Sequence, residues 1–147
     1  MESIRSLERW AEAHGDLGFE LVRIYLGVGL FVKGLQFTRD TDFLMQILRD
    51  SDTVQFRFNF VETFIAHYIP LAHLGGGLLL AVGLLTRVSA LFQLPVLFGA
   101  AFVVYGREGI FGHNQNFQFT ALVLFLLFLM LICGGGRWSV DHQLRKR

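Results

Sequence analysis

The sequence predicts an all-α membrane protein: a four transmembrane helix bundle with a short N-terminal amphipathic helix and an interfacial helix between the first and second spans. Composition is the first observation. Of 147 residues, 53% are hydrophobic and only 17% are charged, and the mean hydropathy is +0.49. An ordinary soluble domain is about 25% charged. A soluble domain of this size buries only about two-thirds of its unfolded surface, so it needs a polar exterior that this chain lacks. The second observation is a set of four apolar stretches, Leu17–Phe37, Phe60–Leu85, Val88–Tyr105 and Phe117–Cys133, each 17 to 26 residues long. A spanning helix needs roughly 17–25 residues, with tilt accommodating the longest. The third is a net charge of only +1, which leaves no basic footprint for nucleic acid. No internal repeat or low-complexity segment divides the chain, so residues 1–147 read as one membrane domain.

The elements follow in order. The first 16 residues do not read as a signal peptide, because Glu2, Glu8, Glu12 and Asp16 stand where a basic start and an apolar run belong. Ile4, Leu7 and Trp10/Ala11 recur every three to four residues, which predicts a short amphipathic helix on the membrane surface with Trp10 at headgroup level. The first span follows. Between it and the second span, Phe43, Leu44, Ile47 and Leu48 make an apolar strip on an interfacial helix, with Thr41 or Asp42 as its cap. Pro70 and Pro95 lie inside the second and third spans and predict kinks, which membrane helices tolerate. Thr86-Arg87 alone joins those two spans, which predicts a tight antiparallel hairpin. The Gly- and amide-rich segment Gly106–Asn116 joins the third to the fourth.

Lys and Arg set the expected orientation. Arg5, Arg9, Arg87, Arg137, Arg145, Lys146 and Arg147 fall on the side of the termini, against Arg39, Arg49, Arg57 and Arg107 on the other. Both termini are therefore expected in the cytoplasm of a bacterial inner-membrane protein.

Polar groups at membrane depth carry most of the functional information, since a charge at the bilayer centre costs at least about 2–3 kcal/mol. Glu20, Arg23, Gly27 and Gly34 share a stripe about 60° wide on the first helix. Small residues on it let another helix approach closely. Arg23 needs a partner, and Glu20 is the nearest. The pair reads either as a structural ion pair or as the charged rim of a ligand cavity. Lys33 and Gln36 lie on the other side, Lys33 as a snorkelling anchor. On the second helix, Glu62, Ala66, His73, Gly76, Gly77, Leu80 and Arg87 share a face. His73 lies about 20 Å along the helix from Phe60, near mid-bilayer. It reads either as a satisfied core histidine or as a cavity-lining residue, the latter because Gly75–Gly77 leave room for a ligand. His67 faces elsewhere, so His67 and His73 do not read as a haem pair. Gln93 on the third helix is another buried hydrogen-bonding group. His113–Asn116 gather donors and acceptors at the far mouth, and Tyr68 and Tyr105 read as belt aromatics.

Catalytic signatures are absent: no G-x-S-x-G, P-loop, H-E-x-x-H or dinucleotide fingerprint occurs. Cys133 is the only cysteine, so no internal disulfide, CxxC pair or four-sulfur metal site can form. No cofactor is intrinsic to the chain on this reading, and any redox chemistry must borrow a cofactor or a partner.

Arg23-Ile-Tyr-Leu-Gly27, followed by Lys33-Gly34-Leu35-Gln36, resembles the first-helix signature of the DoxX-like membrane proteins. The resemblance continues through His73-Leu-Gly-Gly-Gly-Leu-Leu-Leu-Ala-Val-Gly83-Leu-Leu-Thr-Arg87 and ends at Gly135-Gly136-Arg137-Trp138-Ser139-Val140-Asp141. It implies a four-helix bundle. It also implies kinship with subunits associated with thiosulfate:quinone oxidoreductase and with oxidative-stress assemblies. Two positions depart from the family: His73 stands where a carboxylate is frequent, and Phe37 where a basic residue is frequent.

Three functions are consistent with these residues. One is a redox-linked subunit that holds a quinone, with Arg23, His73, Glu20, Gly76, Gly77 and Gln93 as ligand-binding candidates and electrons drawn from a protein partner. The second is a non-catalytic scaffold of a larger membrane complex. The third is a small-solute or sulfur-oxyanion transporter, which four helices can form only as a homo-oligomer. Lipid is a partner in each, and nucleic acid in none.

Overall fold

The computed structural model describes residues 2–50, 59–106, 115–136 and 139–146. Among them every regular element is helical: α1 (Glu2–Arg39), α2 (Thr41–Asp50), α3 (Asn59–Leu71), a π-helical turn (Ala72–Gly76), α4 (Gly77–Val82), α5 (Thr86–Gly99), a second π-helical turn (Ala100–Val104), α6 (Asn116–Cys133) and α7 (Val140–Arg145). Three segments, Thr63–Val82, Thr86–Val104 and Asn116–Cys133, are long and apolar enough to cross a membrane. The chain is an all-α membrane protein, with lipid as the solvent of its outer face.

The first long helix carries Glu20, Arg23 and Lys33 within its apolar stretch. Packing shows how two of those charges are accommodated. Glu20, Arg23, Leu26, Leu30, Gly34 and Phe37 are buried along one stripe. They recur every three or four residues and so share a face. Leu21, Val22, Ile24, Tyr25, Val28 and Val32 point outward. The ion pair therefore faces protein while an apolar surface faces out.

The N-terminal amphipathic stretch is helical, as its spacing predicts, but it is continuous with the rest of α1. At 38 residues the rod is about 57 Å long, against about 30 Å of hydrocarbon core. Gly15 and Gly18 weaken the join without breaking it, since Ala11, Glu12, Ala13 and Leu17 around them favour helix. The Trp10 and Glu62 side chains, together with His113 and Asn114, lie outside the described residues.

Helix α2 forms where its strip predicts. Its cap is Asp40, one residue before the expected position: Asp40 Oδ1 accepts the Phe43 N–H at 3.0 Å. Leu44 and Leu48 pack with Phe37 under Ile65 and Ile69. The main core joins all four long rods through Leu26, Leu30, Leu80, Ala90, Leu97, Val123, Leu127 and Met130. Each proline is followed within a few residues by a π-helical turn. Proline removes one i→i−4 bond, and a π turn is one way to re-register the ladder beyond it.

The hairpin between the second and third spans turns at Gly83–Leu85, not at Thr86-Arg87, which already belong to α5. Gly83 ends α4 at φ 76°, and Leu85 follows at φ 50°. A leucine at positive φ is uncommon. Here a carboxylate from the C-terminal tail holds it in place. Asp141 Oδ1 accepts the Leu85 N–H at 2.7 Å, and Oδ2 accepts the Thr86 N–H at 2.8 Å. The Asp141 N–H in turn donates to the Gly83 carbonyl at 3.1 Å. The tail thus caps the N-terminus of α5 from 55 residues away. It begins α7 with Ser139, whose Oγ accepts the His142 N–H at 3.2 Å.

Burial works against the Asp141 charge, but the Thr86 and Leu85 amides and the nearby Arg23 outweigh it and hold the carboxyl below the usual aspartate range. A depressed folded value means the clamp is complete above the unfolded value near 3.9 and weakens as pH falls through the folded one. Asp141→Ala should cost about 1 kcal/mol, the usual worth of such a cap. Thermal unfolding in detergent should show that gap from wild type at neutral pH and a shrinking gap below about pH 4.

Candidate functional site

Two buried polar centres lie inside the bundle. The first surrounds Arg23 at the end that carries the Gly83–Leu85 turn. Its Nε donates to Glu20 Oε2 at 3.1 Å, and Nη2 donates to the same oxygen. Nη1 donates to the Leu80 carbonyl at 2.8 Å and the Ala81 carbonyl at 3.2 Å. Arg23 is 2% exposed and Glu20 4%. The last carbonyls of a helix have no intrahelical partner and carry partial negative charge, so a guanidinium satisfies and neutralises them together. Only glycine fits around it. A Cβ at Gly83 would overlap Nη1, and one at Gly136 would come within 2.5 Å of Glu20 Oε1. Arg87 does similar work on α6, where Nη2 donates to the Ile132 carbonyl at 3.0 Å.

The second centre surrounds His73 in the π-helical turn. His73 is 5% exposed. Its Nδ1 lies 2.9 Å from the Ile69 carbonyl. A carbonyl only accepts, so Nδ1 carries the proton and Nε2 is left as an acceptor. The Phe37 ring meets the imidazole edge-on, with centroids 5.7 Å apart at 80°. Lys33 Nζ sits 5.1 Å above the centroid of that Phe37 ring, a cation–π contact that fixes its head at the periphery of this centre. One turn on from His73, Gly76 faces Gln93: a Cβ on Gly76 would come within 2.9 Å of Gln93 Nε2. Gln93 is fully buried, and neither Oε1 nor Nε2 has a hydrogen-bond partner. The Ser89 hydroxyl donates to the Gly76 carbonyl.

The predicted ligand residues therefore divide. Gly76 meets Gln93, while the His73 ring packs on Phe37 of α1. Glu20 and Arg23 pair as expected, but against Leu80–Gly83, about 10 Å along the helix from His73. Gly77 belongs to the helix contact: an added Cβ would lie 2.8 Å from the Gly27 carbonyl and 2.9 Å from Phe31 Cα. Gly34 packs on Leu74 in the same way, 2.7 Å from its nitrogen. His67 is turned outward with Nδ1 2.8 Å from the Thr63 carbonyl, and the Tyr68 hydroxyl donates to the Phe92 carbonyl at 2.9 Å. Among the described residues no group of three His, Cys, Asp or Glu could hold a metal. A groove of about 330 Å³ on the outer surface is lined only by Leu91, Leu94, Pro95, Phe98 and Leu124, and offers no polar contact.

The sequence reading missed Thr86, Ser89, Ser139 and Asp141, which are buried or engaged at these centres. The spacing of Thr86, Ser89 and Gln93, three and then four residues, was a legible signal for a polar stripe on the third span. The role of the tail was not legible, because nothing local ties Asp141 to Leu85.

The DoxX family model matches residues 18–106. The chain is also similar to an uncharacterized membrane protein of Mycobacterium tuberculosis, Rv3486, at 33% identity over 95 residues, which is 58% of each chain. The chain thus spans little more than half the length of that relative. No solved structure matches it.

Arg23→Met should destabilise the protein by about 3–5 kcal/mol, because it strands the Glu20 carboxylate in a buried site. Glu20→Gln combined with Arg23→Met should recover part of the loss. Denaturant unfolding followed by circular dichroism reads both, and a loss below about 1 kcal/mol would remove the pair from its structural role.

Proposed function

We propose that this chain, which belongs to the DoxX family, is a redox-linked subunit of a membrane oxidoreductase system that holds a quinone head at His73 and Gln93. One observation carries this reading: the buried Gln93 amide has no hydrogen-bond partner and lies on the helix that packs against the π-helical turn carrying His73. Buried polar groups in native proteins are nearly always paired, so those left over mark a place for something else. The two groups suit both redox forms. Gln93 Nε2 donates to a quinone carbonyl oxygen, and His73 Nε2 accepts from a quinol hydroxyl. Phe37 supplies an apolar wall beside them. The chain's side chains offer no electron carrier, so electrons pass to or from a protein partner, in sulfur-compound oxidation or an oxidative-stress system. Arg23 takes no part at the quinone, since its hydrogen bonds serve the Glu20 and α4 contacts.

In this reading α1 is a fourth span in a bacterial inner membrane, with both termini cytoplasmic. Its outward apolar face and inward ion pair support that placement. Reporter fusions at the N-terminus and after Arg39 should report opposite sides, and a shared side would remove α1 from the spans.

A second reading, a non-catalytic scaffold, is favoured by the outer face of α6. There Phe119, Leu122, Phe125, Phe128 and Ile132 form an exposed apolar row that a partner helix or a second copy could cover. Titration of the purified protein with short-chain ubiquinone and menaquinone analogues separates the two. Binding should weaken at least about tenfold, or 1.4 kcal/mol, in His73→Ala and Gln93→Leu. Absent binding in wild type, or equal binding in both variants, would count against the quinone reading. A stoichiometric membrane complex whose activity survives both variants would favour the scaffold.

A further inference from the structure

We propose that the outward face of α1 docks a membrane-spanning helix of another protein, one that carries a carboxylate at the depth of Lys33. That depth is read from the neighbouring rod. A Cβ on Gly34 would lie 2.7 Å from the Leu74 nitrogen, and one on Gly77 would lie 2.5 Å from the Phe31 nitrogen. Lys33 is therefore level with Leu74 and Gly75, inside the membrane-crossing segment Thr63–Val82. At about 1.5 Å per residue it stands about 12 Å from Val82 and about 16 Å from Thr63. Lys33 is exposed, and its ammonium lies 5.1 Å from the Phe37 ring centroid. Among the described residues no carboxylate pairs with it. A charge at such depth is costly and normally faces an oppositely charged partner.

The same face has the pattern of a helix contact. Val22, Tyr25, Gly29, Val32 and Gln36 follow one another at alternating spacings of three and four residues, and all are exposed. That alternation is the seam of a left-handed helix pair. Lys33 stands on its flank, where charges choose the partner. Gly27, Gly34 and Gly77 are filled by the contact between α1 and the second rod, but a Cβ on Gly29 would meet nothing within 4 Å. Glycine inside a helix costs stability, and on an outward membrane face it lets a second backbone come close. The exposed row on α6 differs, because it is wholly apolar and lipid satisfies it.

Charge decides between another protein and a second copy of this chain. Among the described carboxylates, Glu20 is engaged by Arg23 and Asp141 by the turn amides. Asp40 caps α2, about 10 Å farther along than Lys33, and Asp42 lies beyond it. Asp16 lies about 25 Å away in the other direction. A parallel second copy would therefore bring a second lysine to this level and no carboxylate. An aspartate or glutamate on a different chain neutralises the ammonium. The Gln36 amide, three residues on and on the same side of the helix, can donate to the same carboxylate. This inference rests on the reading of α1 as a span and does not depend on quinone.

Fluorescence energy transfer in lipid vesicles tests it, between the labelled full chain and a synthetic membrane-spanning leucine–alanine helix. The probe helix carries one glutamate at its midpoint, and a second version carries leucine there. The glutamate helix should bind wild type at least about tenfold more tightly than the leucine helix. Lys33→Leu should remove that difference, and Gly29→Leu should weaken binding of the glutamate helix several-fold. Both positions face outward, so both variants should fold, which circular dichroism reads. Lys33→Glu should instead select a probe helix with a central lysine. Equal binding of the two helices to wild type would overturn the proposal, as would a preference for glutamate that survives Lys33→Leu. Energy transfer between two labelled copies of the chain that Lys33→Leu abolishes would overturn it too, by giving the face to self-association. No quinone is present, so a failed helix titration leaves the quinone reading standing, and the reporter fusions test the span separately.

Discussion

The guanidinium of Arg23 on the terminal carbonyls of α4 is the contact from which the remaining geometry follows. A single charge in a membrane interior is expensive. It is accommodated here because Glu20 neutralises it and the Leu80 and Ala81 carbonyls take another of its nitrogens. The contact also fixes the register of two rigid rods. With Arg23 at Leu80 and Ala81, α1 runs antiparallel to the second rod, and a rise of 1.5 Å per residue carries Gly27 to Gly77 and Ala81, then Gly34 to Leu74. Those glycines bring the backbones so close that no cavity can lie along that stripe. A ligand that engages the unpaired Gln93 amide has to sit on the other side of the second rod, where Gly76 faces α5.

The buried polar groups then sort by whether their hydrogen bonds are engaged. Glu20, Arg23, Asp141 and Ser139 bond to backbone or to each other, and they hold α1, the hairpin turn and the tail together. Gln93 keeps two buried atoms without protein partners. Since the cost of an unpaired atom is high in a low-dielectric interior, the second set marks where other molecules belong. The same physics explains why the charged pair that stands out most in the sequence serves the fold, while quieter residues carry the chemistry.

Much of the fold was legible. Helices in lipid need long apolar runs, so the fourth stretch was placed within one residue of its observed start, and the strip of α2 emerged from spacing alone. Departures came where a distant contact overrides local preference. Leu85 takes a positive φ, and the hairpin turns one step earlier than its polar residues suggest, because Asp141 holds the amides there. Asp40 caps α2 in place of Thr41 or Asp42, since capping depends on where the preceding helix actually stops. The candidate site was half legible: helical periodicity grouped His73 with Gly76, but could not say that Gln93 faces Gly76 from another helix.

Hydrophobicity and the 3.6-residue period are local properties, so the all-α membrane class and the buried face of the first helix can be read along the chain alone. Which of those residues meet depends on the packing of the helices. Arg23 is drawn to helix carbonyls 57 residues away, the tail closes the hairpin, and Gln93 is left unpaired against Gly76. Each outcome depends on how rigid rods register against one another, and that register is set by contacts between residues far apart in the chain.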